Sequence, residues 1–128
     1  MPSRINMPEN NHFKLDNKVV LITGGAGLIG SGFSRICAEH GARVVIVDVD
    51  EEKANNLIGA IKDATGNKEI YFEKCDITRE REVVNMVARV KKSFGSIDAL
   101  VNGAFPRNAN WANIPFEEVS YDDFCENV

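Results

Sequence analysis

The chain is poor in the residues that carry metal, redox and membrane chemistry. It has two histidines and three cysteines, Cys37, Cys75 and Cys125, with no C-x-x-C pair, so it offers no metal constellation. The odd, widely spaced thiols read as reduced packing residues of a cytoplasmic protein, not as a disulfide framework. No apolar run approaches the roughly 18–20 residues that span a bilayer, which leaves no place for a membrane helix. The opening MPSRINMPENNHFK has one arginine but lacks the apolar stretch of a secretory signal. Basic excess is absent too. Fifteen Lys and Arg stand against 19 Asp and Glu, a net charge of −4, and the basic residues are scattered, which argues against a nucleic-acid partner. There are no internal repeats and no low-complexity tracts.

What remains is an ordinary globular composition, 44% apolar and 27% charged over 128 residues, enough for one domain with one core. Residues 1–14 are polar and without period, and read as a flexible arm; residues 15–128 read as the domain. Lys18 to Ile22 is a continuous aliphatic run, the pattern of a strand buried on both faces. Leu28 and Ile29, Phe33, Ile36 and Cys37, then His40 recur at helical spacing until Gly41 stops the helix. Arg43 to Val47 is a second buried strand ending at Asp48. Glu51 to Thr65 is helical, with Ala54, Leu57, Ile58 and Ile61 on one face, acids in its first turn and Gly66-Asn67 closing it. Glu69 to Glu73 is a short third strand. Thr78 is placed to cap a helix whose stripe is Val83, Val87, Val90 and Phe94, stopped by Gly95. Ala99 to Val101 is a fourth strand. The alternation predicts an α/β fold: a three-layer, doubly wound parallel sheet with right-handed crossovers, the first half of a dinucleotide-binding (Rossmann) architecture.

Between the first strand and first helix stands TGGAGLIG, residues 23–30. A strand turning sharply into a helix exposes free N–H groups and the positive end of the helix dipole, a pocket suited to a diphosphate. Gly24 suits the tight turn, Gly27 admits close approach of a phosphate, and Gly30 lets the helix pack down. Ala26, Leu28 and Ile29 belong to the same backbone cradle. Ordinary turn glycines are the bland alternative; the flanking strand and helix, and the acid Asp48 at the end of the next strand, favour the nucleotide. A carboxylate at position 48 accepts from both adenosine ribose hydroxyls and repels a 2′-phosphate, at up to ~4 kcal/mol for like charges ~4 Å apart at an effective dielectric of ~20. The following Val49 and Asp50 supply no arginine, so NAD is expected over NADP. Asp48 as a cap for the helix beginning at Glu51 is the other reading.

With these features in place the chain resembles the short-chain dehydrogenase/reductase family. Cys75-Asp76-Ile77 stands where that family's aspartate and the next residue contact adenine. Ile97-Asp98-Ala99-Leu100-Val101-Asn102-Gly103-Ala104 resembles its fourth strand and N-N-A-G ending, which implies that Asn102, Gly103 and Ala104 line the cofactor. The resemblance covers residues ~15–128 and implies sheet order 3-2-1-4. Two departures stand out. T-G-x-x-G-x-x-G is the spacing of the extended subset, with Leu28 in the place of a glycine, whereas FGSIDALVNGA resembles the shorter subset; and Phe105 replaces the final glycine of N-N-A-G. Ala104-Phe105-Pro106-Arg107-Asn108 with Trp111 is similar to oxidoreductases of flagellin sugar modification. Arg107 and Trp111 belong either to a substrate pocket or to a solvated residue and a loop anchor.

The resemblance implies hydride transfer between a nicotinamide cofactor and a hydroxyl or carbonyl of a small-molecule substrate, such as a sugar derivative, with self-association through helices of the second half. That chemistry uses a serine and a tyrosine four residues before a lysine, the lysine lowering the tyrosine pKa. Only Tyr71 and Tyr121 are present, and cysteines, Cys75 and Cys125, follow them at that spacing. No catalytic residue is therefore assigned. Ser120-Tyr121-Asp122-Asp123 reads as a capped helix start that breaks off at Val128, so the chain reads as a fragment: the cofactor-binding half of an oxidoreductase, itself inactive. Strand four is then an exposed edge and one apolar helix face is uncovered, which predicts marginal stability or aggregation. The alternatives are an NAD-binding module without turnover, and a flavoprotein, which leaves Asp76 and Asn102 unexplained. A Y-x-x-x-K beyond Val128 separates enzyme from module.

Overall fold

A computed structural model describes residues 13–105 and 114–126. In chain order these form β1 (Val19–Thr23), α1 (Gly30–Glu39), β2 (Arg43–Asp48), α2 (Glu51–Thr65), β3 (Ile70–Lys74), α3 (Glu80–Phe94) and β4 (Ala99–Asn102), then a 3-10 turn (Phe116–Glu118) and α4 (Tyr121–Glu126). Every strand pairing is parallel and the order is β3-β2-β1-β4. This is the expected three-layer architecture.

The aliphatic runs form strands because each successive side chain serves a different layer. Val20, Ile22, Val44, Ile46 and Ile70 pack with Ala38, Ala42, Ala54 and Ile61 on the side of α1 and α2. Val19, Leu21, Val45 and Val47 pack with Met86 and Val90 of α3 on the other. Each such fully buried Val or Ile contributes about 1.5–3 kcal/mol of transfer free energy, so the central pair β1 and β2 carries most of the core.

Two helices depart from the pattern expected of the sequence. The apolar period across Leu28, Ile29, Phe33 and Ile36 is not the packed face of α1: these side chains are 86%, 71%, 43% and 49% exposed. Gly30, Ser34 and Ala38 are buried instead. They lie four apart, on one line of the helix, and their small size lets α1 sit close over the strands. The start of α3 also differs. Its N-cap position is Arg79, with no side-chain cap bond. The Thr78 hydroxyl donates to Asp76 Oδ1 at 2.7 Å and its amide to the same oxygen at 3.0 Å, because a carboxylate two residues back closes an Asx-type turn. Elsewhere the caps follow the sequence. Asp50 accepts from the Lys53 amide at 3.0 Å, Gly66 and Gly95 end α2 and α3 with φ of 73° and 82°, and Ser120 Oγ accepts from the Asp123 amide at 3.1 Å.

Two polar side chains tie the layers. Asn67 Nδ2 donates to the carbonyls of Ala38 and Ala42, and its Oδ1 accepts from the Glu69 amide, joining the end of α1, the approach to β2 and the approach to β3. Asp98 Oδ2 accepts from the Val19 amide at 2.8 Å and holds the start of β4 against β1. Among the described residues β4 pairs with β1 alone, and Leu100 is 55% exposed on it, so the expected open edge is present.

Replacing Asn67 with alanine removes the side-chain donor to the Ala42 carbonyl and one of the donors to that of Ala38, which keeps the Gly41 amide, and is expected to cost about 1–3 kcal/mol, read as a lowered urea midpoint at unchanged slope. The bond from Val19 holds the Asp98 carboxyl below its usual range, with Lys18 and Ser96 adding to it. A depressed folded pKa contributes stability that is full above the unfolded value of about 3.9 and is lost as pH falls through the folded one. Melting temperature is therefore expected to fall less steeply below about pH 4 in Asp98→Asn than in the parent.

Candidate cofactor site

The site is the crest formed by the C-terminal ends of the strands. β1 ends at Thr23, and the chain reverses through Gly24 at φ +61°, a conformation that disfavours side chains. A Cβ on Gly24 would also lie 2.7 Å from the Ala104 Cα. That proximity arises because Thr23 gathers the end of β4: its Oγ1 accepts from the amides of Gly103 at 3.2 Å and Ala104 at 3.4 Å, and its carbonyl accepts from the Gly103 amide at 3.1 Å. Asn102, Gly103 and Ala104 thus stand beside the glycine turn. The sheet order reverses between β1 and β4, the position at which doubly wound folds bind ligands. Thr23 was not among the residues singled out in the sequence, although it heads the T-G motif.

Within the turn, the Gly27 amide donates to the Gly24 carbonyl at 2.9 Å. Among the described residues, the amides of Leu28, Ile29 and Gly30 have no intramolecular acceptor. α1 has no side-chain cap and no acid in its first turn, so its positive end is not offset by its own side chains and these donors stay unbonded; Leu28 and Ile29 are exposed and Gly30 is buried. A Cβ at Gly27 would meet only the Gly24 carbonyl, at 3.1 Å; the space beyond is open. A Cβ at Gly30 would fall 2.0 Å from the Gly24 oxygen, so Gly30 serves packing of the helix against the turn itself as well as the strand layer below. Gly25 has an unforeseen role. Its Cβ would lie 2.9 Å from the Ile22 carbonyl and 3.0 Å from Ile46 Cγ2, so the turn rests directly on β1 and β2.

Asp48 ends β2 beneath this turn. Its Oδ1 accepts from the amides of Val49 at 2.8 Å and Asp50 at 3.2 Å, and its Oδ2 from the Ala26 amide at 3.1 Å. Asp50, not Asp48, caps α2, which removes the helix-cap reading. A carboxylate has about four acceptor positions. Three are filled by backbone N–H groups, so about one remains, on Oδ2.

Asp76 follows β3, whose end is joined to β2 by the Cys75 amide donating to the Asp48 carbonyl at 3.2 Å. Its bonds from Thr78 hold its carboxyl below the usual range, helped by the Arg79 guanidinium, and the neighbouring Ile77 amide has no acceptor among the described residues. Tyr71 lies on β3 with its ring 4.8 Å from that of Phe94. Its hydroxyl bonds Glu69, which pushes its pKa up, the opposite of what a proton-transferring tyrosine needs. Tyr121 is 80% exposed on α4. Arg107 and Trp111 lie outside the described residues, which hold no cluster of metal-ligating side chains and no helix long and apolar enough to cross a membrane.

Comparison with known proteins agrees with this geometry. The chain is 43% identical over 91 residues to Short-chain dehydrogenase reductase 3b of Arabidopsis thaliana, covering 71% of this chain and 34% of that protein. It is similar to the crystal structure of NAD+-bound xylitol dehydrogenase, with a TM-score of 0.76 and 31% identity over 89% of this chain and 42% of the other. Levodione reductase gives a TM-score of 0.78 and 27% identity over 90% of this chain and 43% of the other. The chain spans from about a third to under half the length of these relatives. The family model for short chain dehydrogenase matches residues 18–127, and the chain belongs to that family.

Proposed function

We propose that the chain carries the cofactor-binding half of an NAD-dependent oxidoreductase acting between a hydroxyl and a carbonyl of a small-molecule substrate. The observation that carries this reading is the set of amides at Leu28, Ile29 and Gly30 that find no acceptor among the described residues, at the positive end of α1 beside Asp48. When bound, the nicotinamide supplies the hydride acceptor or donor; the chain's own residues bind and orient.

The amides of Leu28 to Gly30 hold the diphosphate, and the open face of Gly27 admits it. The remaining lone pair on Asp48 Oδ2 takes a ribose hydroxyl. This geometry narrows the sequence expectation that Asp48 accepts from two hydroxyls, since Val49, Asp50 and Ala26 already use the other positions. Ionised Asp76 and the open Ile77 amide offer an acceptor and a donor to adenine, and Asn102 to Ala104 line the cofactor next to the turn. Selection of NAD over NADP rests on the Asp48 charge, with Asp50 two residues on and no basic side chain directly after it.

Neither tyrosine of the chain precedes a lysine at the family's spacing, and Tyr71 is committed to Glu69 and Phe94, so neither is given a proton-transferring role; binding of NAD without turnover is the second reading. The binding half of the proposal is common to the two readings. The resemblance to flagellin-sugar enzymes rests on Pro106, Arg107, Asn108 and Trp111, outside the described residues, so the substrate is given no narrower class.

Asp48→Ala is the direct test. Hydrogen bonds to a charged group are worth about 1.5–3 kcal/mol, so NAD affinity is expected to fall by roughly tenfold or more and the preference for NAD over NADP to narrow. Part of the loss, through the freed Ala26 amide, is common to the two cofactors. Calorimetric titration with each reads the ratio, and an unchanged ratio removes Asp48 from the selecting role.

A further inference from the structure

Ser34 is fully buried in α1, at 0% exposure, yet its hydroxyl does not serve its own helix. A serine inside a helix ordinarily bonds the carbonyl one turn back. Ser34 Oγ instead donates to the Gly25 carbonyl, nine residues earlier, at 3.1 Å. The Ala26 amide, on the other end of the same peptide unit, donates to Asp48 Oδ2 at 3.1 Å. One peptide plane is therefore held at its oxygen by α1 and at its nitrogen by β2.

That plane is the one most in need of holding. It follows two consecutive glycines, Gly24 and Gly25, whose backbone rotates with little steric resistance. A flip about it would turn the carbonyl oxygen toward the Asp48 carboxylate and the N–H toward Ser34, breaking two bonds and setting an oxygen against a carboxylate. The planes that follow carry the amides of Leu28, Ile29 and Gly30, and their direction depends on this one. We propose that Ser34 is a positioning residue: by fixing the Gly25–Ala26 peptide against Asp48, it keeps the first-turn amides of α1 aimed at a diphosphate. This rests on the dinucleotide reading above. It adds a residue that touches no ligand, and it separates the diphosphate part of affinity from the adenosine part.

The test uses the full 128-residue chain and its Ser34→Ala variant, titrated calorimetrically with ADP and with adenosine. Loss of one neutral hydrogen bond predicts roughly a three- to tenfold loss of ADP affinity, with adenosine affinity unchanged. An equal loss for the two ligands means that the bond serves the fold alone and overturns the proposal, as does no loss for either. A parent chain that binds ADP no better than adenosine overturns the dinucleotide reading itself, which separates the two failures. Hydrogen exchange on the parent gives a readout that needs no variant. The Ala26 amide is expected to be protected while those of Leu28 and Ile29 exchange freely, and equal exchange would show that the peptide is not held.

Discussion

The approach of Gly30 to Gly24 shapes everything around the turn. The Gly24 oxygen accepts from the Gly27 amide and sits where any side chain at position 30 would collide with it. Because the two meet, α1 begins directly over the end of β1 and lies low on the sheet. That low placement demands small residues along the buried line Gly30, Ser34 and Ala38, and it turns Leu28, Ile29, Phe33 and Ile36 outward. Among the described residues, the amides of Leu28, Ile29 and Gly30 at the crest are left without an intramolecular acceptor. Helix position, inward face and open donors all follow from one close contact between backbones.

Carboxylates acting as backbone acceptors organise the rest. Asp48 gathers the amides of Ala26, Val49 and Asp50; Asp76 closes the turn after β3 around Thr78; Asp98 fastens β4 to β1 through Val19. A charged acceptor makes each of these bonds stronger than a neutral pair. The first two stand at the ends of β2 and β3, so the groups that shape the crest are also those we propose for ribose and adenine. The buried aliphatic layers supply the stability that holds these loops in place.

Much of this was legible in the sequence, for definite reasons. A strand buried on both faces has no alternation to misread, so β1 and β2 stood out, and α2 was bounded by Glu51 and Gly66 as the structure has it. The turn, Asp48 and the β4 ending stood out as candidates because a motif and its neighbours agreed, and the folded chain brings them together at one crest. The inward face of α1 was not legible, since hydrophobic spacing marks Leu28 and Phe33, while the packed line is made of small residues that no apolar period reveals. Ser34 and Thr23 were hidden similarly: a single hydroxyl carries no pattern, and its bond to Gly25 or Gly103 exists only once the chain has folded back. Gly25 stands outside the three-residue glycine spacing, and its close approach to Ile46 exists only in the folded chain.

The proposed cofactor site stands or falls on whether the bend from β1 into α1 receives a diphosphate. Titration of isotope-labelled chain with NAD, followed by amide chemical shifts, tests it most directly. Saturable shifts are expected, largest at Gly27, Leu28, Ile29 and Gly30. Saturable binding that leaves those four amides unmoved, or no binding by a folded chain, would contradict it.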